Sequence, residues 1–162
     1  MAALADLPRI EDLPIPDTVR VGRGWTAHMA EMADHIGAYD TLRILEQFGG
    51  QMVYVTIDPA KNMFREIVGA EKAAILSHVY GRSRMELPVG KQAILYAKRA
   101  GVLAAARAGK LTGGQAAHIL RTRRSEIRKL MNESDEGVGV RPVSLKKRVD
   151  SRQMDMFGED AV

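Results

Sequence analysis

Apolar residues recur every three or four positions from Trp25 onward, at Met29, Met32, Ala33 and Ile36. That spacing predicts one face of a helix. Gly37 interrupts it, and a second helix is predicted over Tyr39–Phe48, with Leu42, Leu45 and Phe48 sharing a face. Gly49-Gly50 ends that helix, because glycine adopts the left-handed cap conformation at little cost. The period then changes from about 3.6 to 2. In Gln51–Ile57 the residues Val53, Val55 and Ile57 alternate with their neighbours, the pattern of a half-buried strand. Asp58-Pro59 stops it.

The same pattern returns 32 residues later without a gap. Ile36-Gly37-Ala38 aligns with Val68-Gly69-Ala70, Ile44 with Leu76, Phe48 with Tyr80, and Gly49 with Gly81. Val53, Val55 and Ile57 align with Met85, Leu87 and Val89. A constant offset across so many positions predicts a duplicated helix–glycine–strand unit. Two short strands are marginal alone in water and need a partner strand, a helix cover or a second subunit. A two-fold homodimer built through residues 36–90 would meet that need and would suit a DNA reader.

Beyond Pro88 the chain consists almost wholly of helix formers. A long helix is predicted over Lys91–Ala108, closed by Gly109-Lys110-Leu111. Thr112 followed by Gln115 is a capping-box signature, in which each side chain satisfies a free backbone N–H of the other residue. A short helix, Gly114–Leu120, a turn at Arg121-Thr122-Arg123, and a last helix, Arg124–Asn132, follow. Ala116, Ala117 and Leu120 face Ile127 and Leu130 across the turn. A small residue where two helices cross, with branched residues filling the angle, predicts a helix-turn-helix over residues 112–132. Arg121 stands where such turns usually have glycine.

Composition adds limits. The chain has 162 residues, 46% apolar and 27% charged, with no cysteine. This is an ordinary globular balance without disulfides or thiolate metal sites. No segment approaches the roughly 20 apolar residues of a membrane helix. The first residues lack the basic start of a secretory signal, so a cytoplasmic location in a bacterial host is expected. The four histidines are scattered, Glu31, Asp34 and Glu66 have no pairing partner, and no phosphate-loop or dinucleotide fingerprint occurs. Neither enzyme chemistry, a metal nor a cofactor is expected.

Charge is uneven in a way that bears on function. Residues 1–70 carry −4, residues 71–132 carry +10 and residues 133–162 carry −2. A field of that sign attracts polyanions. In the last helix and its turn, Arg121, Arg123, Arg124, Ser125, Arg128, Lys129 and Asn132 point away from the apolar seam, and Glu126 is the one acid. Arginine can fork onto guanine in the major groove, while lysine and serine can hold phosphates. Double-stranded DNA is the expected partner. RNA is not, since the sequence shows no aromatic platform.

Phe48-Gly49-Gly50-Gln51-Met52-Val53-Tyr54-Val55 resembles the Mor transcription activator family of bacteriophages. The positions that carry the resemblance are Gly49, Gly50 and Tyr54, and in the second copy Gly81, Leu87 and Pro88. It spans roughly residues 36–132. It implies a strand-bearing dimerisation region followed by a helix-turn-helix, a phage or prophage origin, and transcription regulation with RNA polymerase as a partner. Thr56 stands where the family usually has proline, and the duplicated unit and long tail are further departures.

The expected organisation is therefore mainly α with a small β element. It comprises an extended, mobile acidic arm over residues 1–24, a dimerisation region with the duplicated unit over 25–90, the helix-turn-helix domain over 91–132 and a flexible tail over 133–162. In that tail, Gln153, Met154, Met156 and Phe157 resemble the short peptide that docks bacterial proteins on the replication sliding clamp. A DNA-packaging subunit or a clamp-bound replication adaptor is the alternative to a regulator.

Overall fold

A computed structural model describes residues 4–132. The described chain is mainly helical, with one two-stranded antiparallel sheet. Helix α1 (Ala27–Ile36) starts where the Thr26 hydroxyl accepts the Met29 N–H at 3.3 Å. It buries Met29, Met32 and Ile36, the residues whose spacing predicted it. Gly37 then takes φ 91° and ψ 156°, a region open almost only to glycine. This lets α2 (Ala38–Phe48) start at once in a new direction. It buries Thr41, Leu42, Ile44 and Leu45. Phe48 is half-buried and meets Phe64 edge-on at 5.9 Å.

Strand β1 (Met52–Val55) turns Val53 and Val55 inward and Met52 and Tyr54 outward. It ends two residues before the predicted Ile57, which is exposed. The Thr56 hydroxyl accepts the Asp58 N–H, and the Asp58 carboxylate accepts the Ala60 N–H. These local bonds offer the backbone an alternative to the ladder and turn it out of the strand.

Helix α3 (Arg65–Val68), Gly69, α4 (Ala70–Tyr80) and strand β2 (Ser83–Glu86) follow. Helices α2 and α4 each have eleven residues. Gly37 and Gly69, which precede them, have φ of 91° and 89°. Gly49 and Gly81, which follow them, have φ of −53° and −58°. The strands pair with each other, with Met52 opposite Glu86, Val53 opposite Met85, and Tyr54 opposite Arg84. Each strand thus finds its partner within the chain. The two halves also differ. Helix α1 has ten residues where α3 has four, and the buried residue after Met85 is Leu87, just past the end of β2.

Helix α5 (Lys91–Arg107) joins two cores. Ala93 and Ala97 belong to the first, built on α1, α2, α4 and β1. Val102 and Ala106 belong to the second, which adds Ala116, Ala117, Ile119, Leu120 and Ile127.

The N-terminal segment differs from the arm expected of it. Leu7, Ile10 and Leu13 pack on the second core, and Ile15 is buried in the first. The Lys98 ammonium, itself buried, donates to the Glu11 carbonyl at 2.8 Å and lies 3.5 Å from the Glu46 carboxylate. The apolar residues at positions 7, 10, 13 and 15 supply enough burial, at about 25 cal/mol per Å², to offset part of the ordering entropy. The sequence signal was there, but prolines and acids obscured it.

Candidate nucleic-acid interface

Helix α6 (Gly113–Leu120) opens with the predicted capping box. The Thr112 hydroxyl accepts the Gln115 N–H at 3.1 Å, and the Gln115 amide oxygen accepts the Thr112 N–H at 3.0 Å. The helix closes on Arg121, held at φ 51° and ψ 46°. The Thr122 N–H reaches back to the Ala117 carbonyl at 3.0 Å, and the Arg121 N–H to the His118 carbonyl at 3.2 Å. These bonds satisfy carbonyls that the helix end would leave bare. A side-chain-bearing residue held in this left-handed region costs roughly 1–2 kcal/mol.

Helix α7 (Arg124–Asn132) follows the turn at once. Ile127 is its single buried side chain, at 1% exposure. It shares one buried cluster with Ala116, Ala117, Ile119 and Leu120 of α6. Leu130 and Met131 are half-buried behind it. The far end of α7 is held by α5: Arg107 donates from Nη2 to the Leu130 carbonyl at 3.0 Å and from Nε to the Met131 carbonyl at 3.3 Å. A guanidinium at the C-terminal carbonyls satisfies both orphan acceptors and the helix dipole.

This arrangement brings all seven sequence-predicted site residues of the basic segment onto one exposed surface. Arg121 and Arg123 flank the turn, and Arg124, Ser125, Arg128, Lys129 and Asn132 lie along α7, all exposed. Among the described residues, none of these seven takes part in an ion pair or a side-chain hydrogen bond. The charges that do pair lie elsewhere, at Asp40, Arg43, Lys72, Lys98 and Glu46. Arg124 lies close over the first turn of α6, since a Cβ placed on Gly113 would stand 3.7 Å from its Nε. At 1.5 Å rise per residue the nine residues of α7 span about 13 Å, and with side chains an α-helix is about 10–12 Å across, which a major groove roughly 12 Å wide admits.

Three features of this region were not anticipated from the sequence. The C-terminal clamp by Arg107 pairs residues 23 and 24 positions apart, and no local pattern announces such a pair. The burial of Lys98 has no sequence signal either. An open hollow of about 510 Å³ beside α6, lined by Leu4, Ala117, His118, Arg121 and Thr122, exists because the N-terminal segment lies there. The tail residues Gln153, Met154, Met156 and Phe157 lie outside the described residues.

The remaining chemistry-bearing side chains form a separate group. His28 and His35 of α1 meet Tyr80 edge-on, each with ring centroids 6.1 Å apart. The Tyr80 hydroxyl donates to Glu31 at 3.3 Å. Burial, and then the adjacent carboxylate, push the Tyr80 phenol up to about 12. No group of metal-ligating residues comes together among the described residues. None of the helices there is long and apolar enough to cross a membrane.

No protein-family model, curated protein or solved structure matches the chain. The functional reading therefore rests on the geometry of this surface.

Proposed function

We propose that the chain is a sequence-specific DNA-binding regulator of transcription, in which α6, the Arg121 turn and α7 act as a helix-turn-helix following a duplicated helix–glycine–strand unit. The observation that carries this reading is the two-sided character of α7. One buried isoleucine anchors it, and its exposed side presents arginine, lysine, serine and asparagine with a single acid, Glu126. A helix face that serves only to be solvated more commonly interleaves both signs. In this reading α7 enters the major groove, Arg124 and Arg128 contact base edges, and Arg121 and Lys129 hold phosphates. The duplication is supported by the equal lengths of α2 and α4 and by the matching dihedral angles of the glycines around them.

The dimer expected from the sequence was one of three ways to give the strands partners. The pairing of β1 with β2 is another, so the proposal of DNA binding does not depend on a second copy. The test is selection of duplexes from a random pool by the full chain, followed by footprinting. Recovery of a defined sequence protected along one face of the major groove is the expected result. Binding that is equal for all sequences would refute a regulator and favour a packaging role.

A further inference from the structure

The pairing of the two units has a symmetry that bears on what DNA this surface can recognise. In the alignment at offset 32, Val53 corresponds to Met85, and these two residues face each other in the sheet. Met52 corresponds to Arg84 and Tyr54 to Glu86. The sheet pairs them crosswise, Met52 with Glu86 and Tyr54 with Arg84. That is the pattern of a two-fold axis through the Val53–Met85 pair. Away from the sheet, Asp40 of α2 and Lys72 of α4, again 32 residues apart, form an ion pair.

This last contact separates a fused pair from two associating copies. Across a homodimer's two-fold axis residue i meets residue j and j meets i, and only a residue on the axis meets its own copy. Asp40 and Lys72 stand at that place, where a homodimer would set aspartate against aspartate or lysine against lysine. Opposite charges at equivalent places are available only when both units belong to one chain. Only the second unit is followed by α5, α6 and α7. The first leads into the Pro59–Lys61 turn and α3. Among the described residues there is thus one α6–α7 pair for each two-fold core. The outer face of the sheet is no uninterrupted apolar surface for a further copy, because Glu86 and Arg84 stand opposite Met52 and Tyr54.

We infer that the chain binds DNA as a single copy, at an asymmetric site without dyad symmetry, the fused pair taking the place of a second subunit. This rests on the reading of α7 given above. Two-fold regulators read inverted half-sites about one helical turn apart. One α7, about 13 Å long, covers about four base pairs at 3.4 Å each.

The experiment is sedimentation velocity on the full chain at micromolar concentration, alone and with labelled duplex recovered from the random pool. The expected result is a 17.8 kDa species alone, a one-to-one complex with DNA, and a recovered site containing one copy of the motif. A two-to-one complex on inverted repeats overturns the inference while leaving the α7 reading in place. A monomer that selects no DNA at all overturns it through the reading on which it rests. Joining two copies of the recovered motif as an inverted repeat tests the same point. Independent filling, with no more than the statistical twofold gain in apparent affinity, supports the inference, and strong cooperativity contradicts it.

Discussion

Asp40 and Lys72 hold the same place in two different helices and pair with each other. Each is the third residue of an eleven-residue helix that follows a glycine with φ near +90°. Asp40 is almost fully buried, and Arg43, one turn along α2, reaches its other oxygen at 3.2 Å. The carboxylate therefore ties α2 to α4, and it does so with two cations that remain partly in water.

Replacing Asp40 with asparagine keeps the shape and removes the charge. Hydrogen bonds to charged groups contribute about 1.5–3 kcal/mol when intact. Both partners are about 40% exposed, so the expected loss is nearer 1–2 kcal/mol. Lys72→Met should cost less, because Arg43 still answers the carboxylate. Urea unfolding of the three proteins checks the order. Equal stability of Asp40→Asn and the parent would show that the pair contributes nothing to joining the units.

Arg121 sits in a left-handed conformation that glycine would adopt without strain. Relief of about 1–2 kcal/mol, less glycine's greater loss of chain entropy of about 0.5–1 kcal/mol, leaves a net gain for Arg121→Gly. The midpoint of thermal unfolding should rise by about 1–3 °C for a chain of this size. The same variant should bind DNA more weakly, with a log–log salt slope smaller by about one. Stability and affinity would then move in opposite directions. If affinity rises along with stability, Arg121 is not a phosphate contact.

Among the described residues, helices α1, α2, α5, α6 and α7 were legible from spacing, and α7 has the bounds that Arg124 to Asn132 imply, whereas the four-residue α3 was not. The reason is physical: each helix buries one stripe, and the stripe is written in the order of residues. Ile57 and Val89 lie outside the strands because Thr56 and Asp58 make local hydrogen bonds just beyond β1, and Pro88, without an N–H, cannot extend β2. The N-terminal segment was misjudged because its prolines and acids suggested an unpacked arm, whereas Leu7, Ile10 and Leu13 find apolar surface on a core formed a hundred residues later. The basic surface was legible as a charge pattern. The Arg107 contacts that hold its far end were not, because they depend on tertiary approach.

Tyr80 gives a prediction in alkaline solution. Its phenol is raised from 10.0 to about 12, first by burial and then by Glu31. The folded state thus favours the protonated form. The associated stability is present below pH 10 and is lost as pH rises through 12. Phenolate absorbance should show a late component near pH 12 that is absent in Tyr80→Phe. Glu31→Gln should move that component down only in part, since burial remains. A late component that survives Tyr80→Phe would assign it to another tyrosine.

The last prediction addresses the basic helix itself. Arg124 and Arg128 lie four apart on one side of α7, and both are exposed. If they read bases, Arg124→Ala and Arg128→Ala should each lose about 1–3 kcal/mol on the selected site and much less on random duplex. Lys129→Ala should instead weaken both by a similar factor, as expected of a phosphate contact. Circular dichroism keeps the comparison clean, because truncating an exposed arginine should leave the helix signal unchanged. Ile127→Asp is the opposite control: a charge at 1% exposure should unfold the α6–α7 pair and abolish binding to every duplex. Equal losses on both DNAs for Arg124→Ala and Arg128→Ala would mean that α7 holds the backbone without reading sequence. No loss on either, with the fold intact, would remove α7 from the interface altogether.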